Sequence, residues 1–165
     1  MKFVTDGMLG KLTRWLRLSG YDVVYIGNLS VPEKDQDEVL LDLARREKRV
    51  LLTRDLSLYR SARKAGIKTV PIETGDVTSQ LVEISKKLGH RIKIDPENSR
   101  CTACNGVLRF VNREAVVGLV PDSVLKSGKK FWRCSKCGKI YWEGKHWKTI
   151  IETISRYNEL REQTC

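Results

Sequence analysis

Several features that mark common protein classes are missing from this chain. No apolar run reaches the roughly 18 residues that a membrane-spanning helix needs, which excludes a membrane protein. Thr5, Asp6 and Gly7 interrupt the apolar residues at the start of the chain, so we expect no signal peptide there. Histidine occurs only at His90 and His146, which gives a histidine-based mechanism little support. The phosphate-binding glycine loop, the GxGxxG fingerprint and the nucleophile elbow are also absent.

The composition is that of a small globular protein. The chain has 165 residues, 41% of them hydrophobic, which suits one ordinary domain or a domain of about 100 residues with a small appendage. Five cysteines are present, and four of them form two CxxC pairs. In a reducing compartment such pairs are typical of metal ligands rather than disulfides. Because we expect neither a membrane span nor a signal peptide, we expect a cytoplasmic protein.

Positive charge is concentrated in the second part of the chain. The formal net charge is +11, of which +4 belongs to residues 1–99 and +7 to residues 100–165. A zinc ion held by four thiolates would subtract two and leave the second part basic. This balance favours a polyanionic partner, nucleic acid first. The alternative is a solvated surface rich in lysine and arginine.

Strands and helices alternate over the first ninety residues. The apolar patterns predict strands at residues 2–5, 22–26, 50–53 and 67–71. They also predict helices at about residues 8–19, 37–47, 57–65 and 78–88. This alternation predicts an α/β fold, a parallel sheet flanked by helices, followed by a small ribbon and a C-terminal helix. We expect domains at 1–92 and 98–146, with a helix and tail at 147–165. The polar stretch around Pro96 is the predicted boundary.

The two CxxC pairs predict a zinc ribbon. The expected ligands are Cys101, Cys104, Cys134 and Cys137. A glycine follows each pair closely, as zinc knuckles require, and strand-like segments flank both pairs. Four thiolates leave no open position on Zn²⁺, so the predicted site is structural. The alternatives are a redox dithiol or two disulfides, but a redox CxxC begins a helix after a strand, and neither pair does.

Basic and aromatic residues surround the second CxxC pair. The basic residues are Lys126, Lys129, Lys130, Arg133, Lys136, Lys139 and Lys145, and the aromatic ones are Phe131, Trp132, Tyr141 and Trp142. Such a mixture can meet phosphates and stack bases, or the aromatic residues can form the core of the ribbon. We expect nucleic acid contacts from the lysines and a core position for both tryptophans.

Acidic residues stand where the predicted strands end. Asp6 follows the first strand, Asp55 follows the third, and Asp37, with Glu38 beside it, opens the second helix. Because ligands bind beyond the carboxyl ends of parallel strands, these acids are predicted to gather around Mg²⁺ or Mn²⁺, which Asp76 can join. Such ions serve phosphodiester hydrolysis. Alternatively, Asp37 and Asp55 are helix N-caps.

Several strings together resemble one family. They are KFVTDGMLGKLTRWLRLSGYDV, DEVLLDLARRE, VLLTRD, CTACNG and FWRCSKCGKIYWEGKHW. Over roughly residues 1–150 the chain resembles the Mut-seven C-terminal RNase family, which implies a PIN-like nuclease domain followed by a zinc ribbon. PIN-like proteins use a cluster of acids, and the matching positions here are Asp6, Asp37 and Asp55. Glu38 is the implied alternative or supporting ligand, and Asp76 is the candidate for the fourth acid that PIN sites often have.

The resemblance also implies the substrate and the residues that contact it. Lys11, Arg14, Arg17 and Arg54 are expected to face substrate phosphates, together with Lys129, Lys130 and Lys136 of the ribbon. The leading hypothesis is a metal-dependent endoribonuclease whose ribbon assists RNA binding, with transfer or ribosomal RNA as candidate substrates. The alternatives are a non-catalytic RNA- or ribosome-binding adaptor and the toxin of a toxin–antitoxin pair.

Overall fold

A computed structural model of the protein describes residues 1–93, 98–144 and 146–163. The strands are β1 (Lys2–Thr5), β2 (Asp22–Tyr25), β3 (Val50–Thr53), β4 (Thr69–Pro71), β5 (Leu108–Val111), β6 (Phe131–Cys134) and β7 (Ile140–Trp142). The helices are α1 (Gly10–Leu18), α2 (Gln36–Arg46), α3 (Leu56–Lys64), α4 (Val77–Leu88), the single turn α5 (Asp122–Leu125) and α6 (His146–Glu162). Pro96, Lys145 and Cys165 lie outside the described residues.

The first four strands form a parallel sheet in the order β2-β1-β3-β4. Every residue of β3 is buried, as expected for a central strand covered on both faces. Phe3 and Leu52 face a core shared with α1, α4 and α6, whereas Val4 and Leu51 face the core under α2 and α3. The predicted fold class, a parallel sheet flanked by helices with a smaller ribbon, is confirmed.

Aspartates cap the helical segments that follow three of these strands. Asp6, Asp55 and Asp76 precede a short 3₁₀ turn, α3 and α4, and each carboxylate accepts hydrogen bonds from the first turn. Such caps satisfy N–H groups that have no partner within the helix. At its other end α4 stops at Gly89, whose φ of +61° lies in the left-handed region that favours glycine. Capping therefore fixes carboxylates at the carboxyl edge of the sheet.

The ribbon is an antiparallel sheet in the order β5-β6-β7. Phe131 is its main buried aromatic residue and packs with Val116, Val120 and Leu125 from the segment between β5 and β6. The predicted core position of the two tryptophans is wrong. Trp142 is 37% exposed, and Trp132 is half-buried on the face opposite Phe131, because neighbouring residues of a strand alternate between faces.

Helix α6 returns from the ribbon to the first sheet. Tyr157 is 1% exposed within the core that contains Phe3, and its hydroxyl lies 2.7 Å from Ser85 Oγ. The same hydroxyl accepts a hydrogen bond of 3.1 Å from the backbone N–H of Ile92. Residues beyond the ribbon thus complete the first core, and the predicted domain limits stay a prediction. None of the helices in the described ranges is long and apolar enough to cross a membrane.

Candidate active site and metal centre

Asp6 directly follows β1, and Arg54 and Asp55 directly follow β3, the two central strands of the parallel sheet. The chain leaves β1 for α1 on one face of the sheet and leaves β3 for α3 on the other. Chain paths that diverge in this way open a crevice at the carboxyl ends of the strands, where open α/β sheets bind their ligands. This edge is therefore the natural candidate for an active site.

Asp6 is held firmly at this edge. It is 6% exposed, and its Oδ2 accepts hydrogen bonds from the Thr53 hydroxyl at 2.6 Å and from the Arg54 N–H at 2.8 Å. Its Oδ1 accepts a third bond of 2.9 Å from Met8 N–H. A carboxylate with three donors is pre-oriented before any ligand arrives, which is what a metal or substrate site requires.

Thr53 links the two strand-end acids. Its hydroxyl donates to Asp6 and accepts a hydrogen bond of 2.9 Å from the backbone N–H of Asp55. The Asp55 carboxylate in turn caps α3 through Ser57 and Leu58, at 2.6 and 3.1 Å. Asp55 thus fills the N-cap position that the sequence analysis kept as an alternative, and its side chain stays exposed at the sheet edge.

Asp37 approaches the same edge from α2. It lies in the first turn of that helix, whose N-cap residue is Asp35, so Asp37 is not the N-cap. Burial raises the pKa of Asp37, and the negative charges of Asp55 and Asp6 raise it further. The structure therefore brings these three acids into one electrostatic neighbourhood. Glu38 is exposed beside Asp37.

Asp76 is not brought into this group. Its carboxylate caps α4 by accepting hydrogen bonds of 3.1 Å from Thr78 N–H and from Ser79 N–H. The guanidinium of Arg156 on α6 lies 3.9 Å away. These bonds and that charge lower the pKa of Asp76, whereas the charges of Asp55 and Asp6 raise the pKa of Asp37. Asp76 thus caps α4, and its role as a metal ligand stays a prediction.

The four ribbon cysteines converge on one point. Their sulfur atoms all lie within 4.8 Å of one another, the closest such group of potential metal ligands in the described ranges. Cys101 Sγ lies 3.6 Å from Cys137 Sγ, and Cys104 Sγ lies 3.4 Å from Cys134 Sγ. Disulfide bonds are about 2.05 Å long, which excludes both disulfides. Zn–S bonds of about 2.3 Å give a tetrahedral edge of about 3.8 Å, so the group can hold a metal ion such as zinc.

The electrostatics of the thiols favour a bound cation. Burial opposes ionisation of Cys101, but hydrogen bonds from Tyr141 and from the backbone outweigh it and bring its pKa to about 6. Burial and the neighbouring thiols raise the pKa of Cys104 to about 12. Ionisation of Cys101 is thus favoured in the bare group, and ionisation of Cys104 is resisted. A divalent cation removes that resistance.

Arg17 joins the first cysteine knuckle to the parallel sheet. It is 3% exposed and donates to the carbonyl oxygens of Val23, Thr102 and Ala103 over 2.9 to 3.1 Å. The prediction that Arg17 faces substrate phosphates is therefore wrong. At the same edge of β2, Asn105 accepts from Val23 N–H at 3.0 Å and donates to the Asp22 carboxylate at 2.7 Å. The knuckle thus occupies the free edge of the sheet.

The other predicted cationic contacts lie at or near the surface. Lys11, Arg14, Arg54, Lys130 and Lys136 are exposed, and Lys129 is half-buried. The backbone N–H of Arg54 donates to Asp6, so the residue itself stands directly beside that acid. Lys136 follows the ligand Cys134 by two residues, and its backbone N–H lies 3.4 Å from that sulfur.

Sequence reasoning missed Thr53 and Asn105. Thr53 is the last residue of an aliphatic strand and directly precedes Arg54 and Asp55. A hydroxyl residue at the end of such a strand, next to an acid, is the signal in the sequence that could have identified it. Asn105 adopts a φ of +67°, which asparagine tolerates better than most residues. Its position just after a CxxC pair predicts such a turn, but nothing local predicts its contact with Asp22.

A comparison with known proteins identifies the family of this chain. The Mut7-C RNAse domain family matches residues 1–154, and no curated protein and no solved structure matches significantly. The match covers the parallel sheet, its acids and all four ribbon cysteines, and it indicates a nuclease-like function. The chain therefore belongs to the Mut7-C RNAse domain family.

Proposed function

We propose that this protein is a metal-dependent endoribonuclease that hydrolyses RNA phosphodiester bonds at the carboxyl edge of its parallel sheet. The observation that carries the proposal is that Asp6 and Asp55 follow two neighbouring strands and are joined through the Thr53 hydroxyl, with Asp37 near enough for their charges to raise its pKa. Acids that repel one another in this way favour a divalent cation between them. The family match supplies the class of reaction.

Each residue at the edge has a defined task in this proposal. Asp6, Asp37 and Asp55 are the ligands for Mg²⁺ or Mn²⁺, with Glu38 as a supporting acid. When bound, such an ion stabilises the charge that develops on the phosphodiester during hydrolysis. Asp6 is pre-oriented by Thr53, so little reorganisation is needed when the ion arrives.

The basic residues hold the RNA in this proposal. The proposed phosphate contacts of the parallel-sheet part of the chain are the exposed residues Lys11, Arg14 and Arg54. Zn²⁺ on the four cysteines keeps the ribbon folded, and its Lys129, Lys130 and Lys136 extend the basic surface. Transfer or ribosomal RNA stays the proposed substrate class, and a cytoplasmic location stays a prediction.

Cleavage of labelled RNA tests the proposal. The full-length, zinc-loaded protein is incubated with transfer RNA, ribosomal fragments and unstructured oligomers in Mg²⁺ or Mn²⁺. Asp55→Asn is the sharpest variant, because asparagine caps a helix about as well as aspartate yet carries no charge. We expect Asp55→Asn to lose at least about 100-fold in rate, since a metal ligand supports several kcal/mol of transition-state stabilisation.

Asp76→Asn is the matched control. Asp76 caps α4 as Asp55 caps α3, but its carboxylate faces Arg156. We expect Asp76→Asn to cut RNA like the wild type. Equal cutting by wild type and Asp55→Asn would refute the assigned site.

A second candidate function has one observation in its favour. Asp6 and Asp55 both accept hydrogen bonds that serve local structure, and within the described ranges only the cysteines come together as closely as metal ligands do. A non-catalytic RNA- or ribosome-binding adaptor would need no more than this. RNA binding without cleavage, in every metal tested, would favour the adaptor.

A further inference from the structure

One face of the ribbon sheet carries an aromatic side chain on each of its three strands. Phe110 of β5 is paired with Trp132 of β6, which is paired with Tyr141 of β7. Directly paired residues project from the same face, with Cβ atoms about 5 Å apart. These three side chains form a continuous line across the sheet, which we call the aromatic row.

The aromatic row is not the core of the ribbon. That core lies on the opposite face, where Phe131 packs against Val116 and its neighbours. Phe110 is 65% exposed, and Trp132 and Tyr141 are half-buried. Three aromatic residues in line on the face opposite the core form a contiguous apolar patch. Such patches are rare on protein surfaces and often mark binding sites.

Tyr141 is fixed in place at one end of the row. Its hydroxyl lies 3.1 Å from Cys101 Sγ and 3.3 Å from Thr102 Oγ1, so the ring is tied to the metal knuckle. The ammonium of Lys139 lies 5.6 Å from the centre of the same ring. A cation held beside an aromatic ring combines the two groups that recognise a nucleotide, a charge for the phosphate and a flat face for the base.

The charge of the surroundings selects the partner. Residues 100–165 carry a net +7, which favours a polyanion over an ordinary protein surface. Among polyanions, one with unpaired bases presents flat aromatic faces that match the row. A duplex keeps those faces stacked inside the helix, where the row has no access to them.

We propose that the aromatic row stacks unpaired bases of single-stranded RNA, while lysines of the same ribbon contact its phosphates. The identification of the polyanion as RNA rests on the proposed function. The row selects single-stranded stretches of RNA, and it does so from the ribbon rather than from the acidic edge of the parallel sheet.

Binding of two matched oligomers tests the proposal. A labelled oligouridylate of about twelve nucleotides and an abasic oligomer of equal length carry the same phosphates, but only the first carries bases. Fluorescence anisotropy with full-length, zinc-loaded protein, without Mg²⁺ or Mn²⁺, gives both dissociation constants. Phe110→Ala is the main variant, because a side chain 65% exposed can be removed without disturbing the core.

We expect Phe110→Ala to weaken binding of the oligouridylate about tenfold, since a base–aromatic stack is worth roughly 1–3 kcal/mol. Binding of the abasic oligomer should be unchanged. Phe110→Tyr keeps the ring and should bind like the wild type. Leu119→Ala removes another exposed apolar side chain, 58% exposed and outside the row, and should also leave both constants unchanged.

Two results would refute the proposal that the aromatic row stacks bases. One is an equal affinity of wild type and Phe110→Ala for the oligouridylate, and the other is an equal loss for both oligomers. Because no catalytic metal is present, these outcomes are independent of cleavage. A protein that binds through Phe110 but cuts no RNA in Mg²⁺ or Mn²⁺ would refute the nuclease and leave the row intact.

Discussion

Replacing Arg17 by methionine removes the contact that joins the first cysteine knuckle to the parallel sheet. Methionine retains most of the length of the side chain and fills much of the same space, so the change isolates the guanidinium. That group donates two hydrogen bonds to Val23 O and one each to Thr102 O and Ala103 O. It also donates one of 3.1 Å to the Asn28 side chain.

The expected loss follows from where these acceptors lie. Val23 is buried, so its carbonyl oxygen loses both donors without access to water, at a cost of about 1–3 kcal/mol. Thr102 is half-buried and Ala103 is exposed, so water replaces part of their bonds and each costs less. Relief of the buried charge offsets some of the loss. We expect the free energy of unfolding to fall by about 3 kcal/mol, a large share of the roughly 5–15 kcal/mol of a typical domain.

Urea unfolding of zinc-loaded protein, followed by circular dichroism, measures this difference. Arg14→Met is the matched control, because Arg14 lies one turn earlier on α1 and is exposed. We expect its free energy of unfolding to stay within about 0.5 kcal/mol of wild type. Equal stability of Arg17→Met and Arg14→Met would refute the structural role of Arg17. Because Arg17 lies beside Cys101 and Cys104, its loss should also speed zinc transfer to a coloured chelator.

Three further predictions concern other parts of the fold. Burial and the charges of Asp55 and Asp6 raise the pKa of Asp37, so Asp55→Asn should lower that pKa in a carboxyl ¹³C NMR titration, and an unchanged value would separate the two residues. Burial opposes ionisation of Asp22, but hydrogen bonds from Arg49 and Asn105 outweigh it and lower the pKa of Asp22. The stability contributed by Asp22 is therefore present above the unfolded pKa near 4 and is lost as the pH falls through the lower folded pKa. Urea unfolding should show a smaller loss of stability below about pH 4 in Asp22→Asn than in wild type, and parallel curves would contradict this. Tyr157→Phe leaves the N–H of Ile92 with only the longer 3.4 Å contact to Ser85 Oγ, and it should cost about 1–2 kcal/mol in thermal unfolding, against no change if α6 were loosely attached.

Local patterns predicted much of this structure. Strand β3 was predicted with the observed limits, because a short aliphatic run between turn signals is typical of a strand covered on both faces. The four cysteines were predicted as one group because two CxxC turns each bring a pair of sulfur atoms together, and the structure adds their mutual distances. Helix periodicity predicted the residues on α1 that pack inward, Leu12 and Leu16.

Contacts between distant residues could not be predicted in this way. Arg17 follows Lys11 and Arg14 at helical spacing and therefore resembles a third member of an exposed basic face. Its burial depends on carbonyl groups 85 and 86 residues further along the chain, which no local pattern contains. The same applies to Asn105, whose partner Val23 is 82 residues away, and to the hydroxyl of Tyr157 in the first core.

Because α6 packs against the core of the first sheet, that core can be completed only after α6 has been synthesised. Synthesis proceeds from the N-terminus, and domains generally begin to fold as they emerge. Ser85 and Ile92 lack the hydrogen bonds of the Tyr157 hydroxyl until Tyr157 has been translated, and by then all four cysteines are already part of the chain. The four cysteines are thus available to bind a metal ion before the core of the parallel sheet is complete. A nascent chain therefore holds all four cysteines while the core of the parallel sheet is still incomplete.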